Sequence, residues 1–184
     1  VKLYGGGIYN ENSSPNFLDC VFTDNKAGVG GGAMSNYNSS PTLTNCIFVD
    51  NVALANGGGM ENSASSPSLV NCVFTTNSAK VGGSLFNHLE SSPTLTNSIF
   101  WRNTANEIHG HGIFTGVSSS WNLVDVLSEF AFVPNIAEGW SGDGRATSAD
   151  PLFIAHEDPD GPDDKWFTAD DGLHLSQGSP AIDM

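Results

Sequence analysis

Apolar and polar positions in this chain repeat at one interval. Phe22, Phe48, Phe74 and Phe100 are each 26 residues apart, and Cys20, Cys46, Cys72 and Ser98 keep the same step. Polar positions follow it too: Asn25, Asn51, Asn77 and Asn103, then Ser13-Ser14-Pro15, Ser39-Ser40-Pro41, Ser65-Ser66-Pro67 and Ser91-Ser92-Pro93. Gly5-Gly6, Gly31-Gly32 and Gly57-Gly58 hold the interval, Gly82-Gly83 arrives one residue early, and an extra residue between Asn87 and Ser91 restores it. A deletion repaired that quickly means that the alignment of the later segment matters structurally.

Each unit reads as three short strands and three turns. The first strand lies around Met60, with Ile8, Met34 and Leu85 equivalent to it. Ser-Ser-Pro turns the chain, because Pro fixes φ and Ser supports tight turns. The second strand is centred on Leu43 (Phe17, Leu69, Leu95), and the third is Cys46-Ile47-Phe48-Val49, where alternation points Cys and Phe to one side. Strands this short bury no face alone, and no connection has the apolar period of a crossover helix. The solution is a coil in which each unit makes one turn and stacks on the next, about 4.8 Å away. Phe, Leu and Ile/Met/Leu columns then fill the interior, and Asn columns bond amide to amide up the stack. The predicted class is all-β, a single-stranded parallel β-helix of about five coils over 1–121, followed by a divergent last coil and an irregular acidic cap over 122–184.

The unit Asn-Cys-Ile-Phe-Val-Asp-Asn-x-Ala, followed by Gly-Gly-Gly-Met-x-Asn, resembles the right-handed parallel β-helix repeats of secreted and surface proteins, pectin-lyase-like in fold. The closing run Ala149-Asp150-Pro151-Leu152-Phe153, Leu173-His174-Leu175 and Gly178-Ser179-Pro180-Ala181-Ile182-Asp183 is similar to the end of such domains in large bacterial exported proteins. That architecture carries lyases, hydrolases, adhesins and passive stalks alike, so the resemblance implies a fold and an extracellular or cell-surface location rather than an activity.

Composition narrows the partners. With 184 residues there is room for one domain, and the formal net charge of -14 argues against nucleic acid and anionic lipid. The charge is uneven: residues 1–105 hold six acids and four bases, whereas 106–184 hold fourteen acids and two bases, Arg145 and Lys165. No apolar run reaches the length of a membrane span. The three cysteines are too few for a disulfide scaffold, and stacked parallel strands give poor disulfide geometry, so they read as buried reduced thiols. Phe130 to Phe153, with Trp140, reads as the segment that folds over one end of the stack. Val1-Lys2-Leu3-Tyr4 leaves the other end open to a preceding part of a longer chain or to a second copy.

The strongest candidate chemistry is a Ca2+ site at Asp158, Asp160, Asp163, Asp164, Asp170 and Asp171, because oxygen ligands on a Gly-kinked loop suit a hard cation. His109 and His111 lack a visible third ligand and read as a solvated turn. Family lyases place Lys or Arg beside bound Ca2+, but here Lys26 and Lys80 lie two coils apart. Asp24 and Asp50 are neighbours for a hydrolase, yet Thr76 and Arg102 share their column, as at a surface. Thr42-x-Thr44 and Thr94-x-Thr96 suggest an ice-binding face, broken by the intervening coils. The variable positions Tyr9, Ser35, Glu61 and Phe86 suggest no gathered site. The expectation is a non-catalytic structural or adhesive module, binding an extracellular polysaccharide or its own copies head to tail as a filament; the alternative is a polysaccharide lyase or glycoside hydrolase.

Overall fold

A computed structural model describes residues 1–105, 118–124, 146–147, 152–155, 157–168, 170–177 and 179. The first coil holds β1 (Lys2–Tyr4), β2 (Ile8–Glu11), β3 (Asn16–Leu18) and β4 (Val21–Thr23). The second repeats it as β5 (Lys26–Gly30), β6 (Met34–Tyr37), β7 (Thr42–Thr44) and β8 (Ile47–Val49). The third holds β9 (Val52–Ala53), β10 (Met60–Ser63), β11 (Ser68–Val70) and β12 (Val73–Thr75). In the fourth, β13 (Ser78–Ala79) and β14 (Leu85–His88) precede β15 (Thr94–Trp101), which runs through both remaining strand positions. Short strands β16 (Thr104–Ala105), β17 (Ser118–Val124) and β18 (Ala146–Thr147) continue the stack.

Every strand pair is parallel, and like sits on like: Ile8 on Met34 on Met60 on Leu85, and Leu43 on Leu69 on Leu95. Sheet A takes the first strand of each coil and sheet B the second, in the order β2-β6-β10-β14. Sheet C combines the last two positions, joined through β15. The chain is thus an all-β parallel solenoid of about four turns, with no helix among the described residues. His109, His111, Phe130 and Trp140 lie outside those residues.

Three strands per coil were expected and four are found. The additional strand is that of sheet A, whose inward residues Ala27, Ala53 and Ala79 form a small buried cluster of their own. Alanine carries too little apolar signal to announce a strand of two to five residues.

The coil turns its corners with left-handed backbone. Gly31 (φ 65), Asn38 (φ 48), Asn45 (φ 53) and Asp50 (φ 54) mark the four corners of the second coil. Gly, Asn and Asp accept this conformation with least steric penalty, which explains their fixed spacing. The two irregularities seen in the sequence fall here. Sheet A to sheet B is one residue shorter in the fourth coil, so Met60 pairs with Leu85. The next corner then takes two left-handed residues, Leu89 (φ 50) and Glu90 (φ 62), where other coils use one.

Inside, Phe22, Phe48, Phe74 and Phe100 stack with ring centroids 4.6, 4.2 and 4.9 Å apart. Cys46 and Cys72 are fully buried, and their thiols donate to Thr44 O (3.4 Å) and Val70 O (3.4 Å). All three thiols are free. Hydrogen bonding to Cys46, with burial, pushes the Cys72 thiol well above its ordinary range, and burial raises Cys20. Two amide ladders run up the interior, Asn10-Asn36-Asn62-Asn87 at 2.8 Å per step and Asn25-Asn51-Asn77-Asn103 at 2.8–2.9 Å. The C-terminal part joins the stack from outside. Phe153 and Leu175, bridged antiparallel, pack against Ile99 and Trp101.

Candidate functional site

On sheet B, alternation sends Met60 and Asn62 inward and Glu61 and Ser63 outward. The outward side chains form two columns: Tyr9, Ser35, Glu61 and Phe86, then Glu11, Tyr37, Ser63 and His88. Outward residues would ordinarily be wet, yet Ser35, Glu61 and Ser63 are buried, Glu61 being only 4% exposed. The end of sheet A supplies the cover. Gly30, Asn56 and Val81 bridge one another in successive coils and form a wall beside the column. Gly30 leaves room for the Glu61 carboxyl, which a Cβ at that position would meet and push aside.

Three groups address this carboxylate. The Ser35 hydroxyl donates to Oε2 at 3.2 Å, and the Asn56 side chain lies close enough to pull the Glu61 carboxyl downward. His88 Nε2 stands 3.6 Å from Oε1, is itself buried, and has no hydrogen-bond partner. Burial pushes the Glu61 carboxyl above the ordinary range against the opposing pull of Ser35 and Asn56. Burial pushes His88 the other way, toward the neutral imidazole. Both shifts favour a neutral pair, as expected when two ionisable groups leave water without a compensating charge. A carboxyl tuned upward can act as a proton donor, but Ser35 is no activated nucleophile: its proton points at Glu61 and not at the imidazole.

Aromatic rings surround the column. Tyr4, Tyr9 and Tyr37 are 45, 46 and 41% exposed, and the Phe86 ring centroid lies 5.2 Å from that of His88. Tyr9 is raised by partial desolvation and by the charges of Glu11, Tyr37, Tyr4 and Glu61, which places all five groups in one patch. Tyr9, Ser35, Glu61 and Phe86 were expected to form no gathered site. The structure stacks them in one outward column beside the wall from sheet A, which covers Ser35 and Glu61 and leaves Tyr9 exposed, and no pattern within a single repeat reveals that wall. The one sequence signal is Glu61 itself, the sole acid among those four equivalent positions.

The six aspartates share a loop in which carboxylates satisfy the loop's own donors. Asp171 accepts from the Phe167 N–H (2.7 Å), the Thr168 N–H (3.1 Å) and the Thr168 hydroxyl (2.8 Å). Asp163 accepts from Lys165 Nζ (3.2 Å), and Asp170 from the Thr168 hydroxyl (2.8 Å). Asp158 N–H and C=O close turns with Ala155 and Gly161, while Asp160 and Asp164 lie along the same loop. Among the described residues, no three His, Cys, Asp or Glu side chains converge as a metal site would require. Asp24 and Asp50 are left-handed corners, as are Thr76 and Arg102. Lys26 and Lys80 are exposed on the outside of the first strand position and just beyond it.

No family model matches the chain, and neither a curated protein nor a solved structure matches it.

Proposed function

We propose that this chain is a structural or adhesive module of an exported bacterial surface protein, a right-handed β-helix of the pectin-lyase-like kind. The observation that supports this reading is the like-on-like stacking of four coils. It spends nearly every inward side chain on the column above or below and leaves a regular exterior for contact. Among the described residues, the strands of the first coil have a partner on one side only, and such an edge suits head-to-tail association. The adhesive partner is an extracellular polysaccharide. Binding to a panel of neutral, acidic and amino-bearing polysaccharides tests this, with electron microscopy for filaments at high protein concentration. Failure to bind any of them removes the adhesive half, and dispersed particles remove the filament.

Glu61 favours a second reading, a glycan-cleaving enzyme with this carboxyl as general acid. Release of reducing ends or unsaturated products from the same panel, abolished in Glu61→Gln, would establish it in place of the first. A Ca2+ ion at the aspartate loop stands as a separate proposal, tested by thermal melts with and without chelator; an unchanged melt removes it.

A further inference from the structure

We propose that the outward face of sheet B is a binding strip for a cationic amino-sugar polymer, whose rings stack on Tyr9 and Tyr37 and whose ammonium groups face Glu11 and Glu61. The proposal rests on the adhesive reading above and names its ligand class.

The face has the two features such a polymer needs. First, it carries rings in open positions: Tyr9 on β2 and Tyr37 on β6 sit diagonally on adjacent strands, each nearly half exposed, with Tyr4 in the same patch. Tyrosine presents an apolar ring to a sugar's C–H face or to a cation, with a hydroxyl at its edge for hydrogen bonding. Second, its charge has one sign. The eight outward positions include Glu11 and Glu61 and neither Lys nor Arg. Glu11 is exposed and available for direct contact, whereas Glu61 lies beneath the rim, where water screens it little. The neighbours of Glu61 bring no fixed positive charge: Ser35, Asn56, and a His88 that burial shifts toward the neutral imidazole. Burial favours the protonated Glu61 carboxyl, and a ligand ammonium at the rim supplies the counter-charge that draws it to the carboxylate.

The same geometry selects against other ligands. A uronate polymer meets two carboxylates and no cation. A cationic peptide adds to a sheet at an edge strand such as β2, not across the face of β6 and β10, whose backbone groups are paired on both sides. What remains open on this face is side chains in a straight row at strand spacing, which suits a linear ring polymer.

The test uses the full chain and isothermal titration with a glucosamine hexamer, its fully N-acetylated counterpart and a polylysine of similar length. The wild type is expected to bind the glucosamine hexamer with a clear loss of affinity on adding salt. Tyr9→Ala/Tyr37→Ala and Glu11→Gln are each expected to weaken it about tenfold, with circular dichroism unchanged because all three side chains are exposed. The acetylated hexamer is expected to bind at least about tenfold more weakly. Equal binding of both hexamers overturns the ammonium assignment and leaves the adhesive reading intact. Equal binding of polylysine, unaffected by the tyrosine substitutions, overturns the strip in favour of diffuse attraction to the acidic C-terminal half. Failure of the wild type to bind either hexamer while another polysaccharide on the panel binds overturns the ligand class alone; failure with every polysaccharide overturns both proposals.

Discussion

Phe48 and Phe74 stack with ring centroids 4.2 Å apart and planes 4° from parallel. Free aromatic pairs adopt edge-on as well as stacked arrangements, so near-parallel planes repeated along the column reflect a constraint beyond the rings themselves. The parallel ladder that pairs Phe48 with Phe74 supplies the constraint, holding both Cα atoms in register. Removing one ring opens a void bordered by two others. Phe74→Ala is expected to cost about 3–5 kcal/mol and Phe74→Leu considerably less. Denaturant melts give the comparison, and equal costs would show that the column closes up around the gap.

The corners carry the next prediction. Thr76 stands at φ 53 in a column whose first two members are Asp24 and Asp50. A β-branched residue is poorly suited to left-handed backbone, and the Thr76 hydroxyl is also buried without a partner. Thr76→Asn is therefore expected to stabilise the protein by about 1 kcal/mol, and Asp50→Val to destabilise it by a similar amount or more. Thermal melts of the two single variants should move in opposite directions.

Asn77 shows how much of the interior depends on polar groups. Its side-chain oxygen accepts from Asn51 N (3.0 Å) and Nδ2 (2.8 Å), while its own amide donates to Phe48 O (2.8 Å) and Asn103 Oδ1 (2.9 Å). Asn77→Ala orphans groups on both sides and is expected to cost about 1–3 kcal/mol for each one left unsatisfied. Asn77→Asp keeps the shape but sets an acceptor against two acceptors, so it should be the worse of the two at neutral pH and should recover on acidification.

These residues also indicate what the sequence makes legible. Phe, Leu and Asn columns repeat at 26 because each coil must place the same side chain above its predecessor, and a period is visible without any knowledge of shape. The strands of sheet A were hidden because Ala27, Ala53 and Ala79 mark them only weakly. The enclosure of Glu61 was hidden for another reason. Gly30 and Ser35 come from the preceding coil and Asn56 from the turn before β10, and nothing in one repeat states that the end of sheet A rises beside the outward face of sheet B. Columns are written in the period, whereas walls arise from how the coil bends between sheets.

Glu61 should leave a mark on the pH dependence of stability. Burial raises its carboxyl above the unfolded value, so the folded state holds the proton more tightly. Its contribution to stability is then fully present below the ordinary glutamate range, near pH 4.3, and is lost as pH rises through the folded value. His88, lowered by burial, acts in the opposite sense: its contribution is present above the ordinary histidine range and is lost as pH falls. Glu61→Gln removes the first effect alone. The melting temperature of wild type minus that of Glu61→Gln is expected to fall as pH rises from about 4 upward. A difference independent of pH would show that the carboxyl is no more buried than a surface glutamate.

Asp171 reverses that sign within the aspartate loop. Desolvation alone would raise it, but the Thr168 hydroxyl and the Thr168 and Phe167 amides donate to it and, with His174 nearby, hold it below the ordinary aspartate value. A depressed carboxyl stabilises above its unfolded pKa, near 3.8, and that stability disappears as pH falls through the folded value. The consequence is local, because these bonds tie residues 167–171 to one another. Amide exchange at Phe167 and Thr168 should be slow at neutral pH, speed up as the solution becomes strongly acidic, and be fast at every pH in Asp171→Ala. Asp171→Asn distinguishes charge from shape: it retains one acceptor oxygen, so partial protection without the acid transition is expected. Slow exchange at Phe167 in Asp171→Ala would mean that the turn is held by its backbone bonds, such as Asp164 N–H to Gly161 O at 3.1 Å, and that the carboxylate is incidental to it.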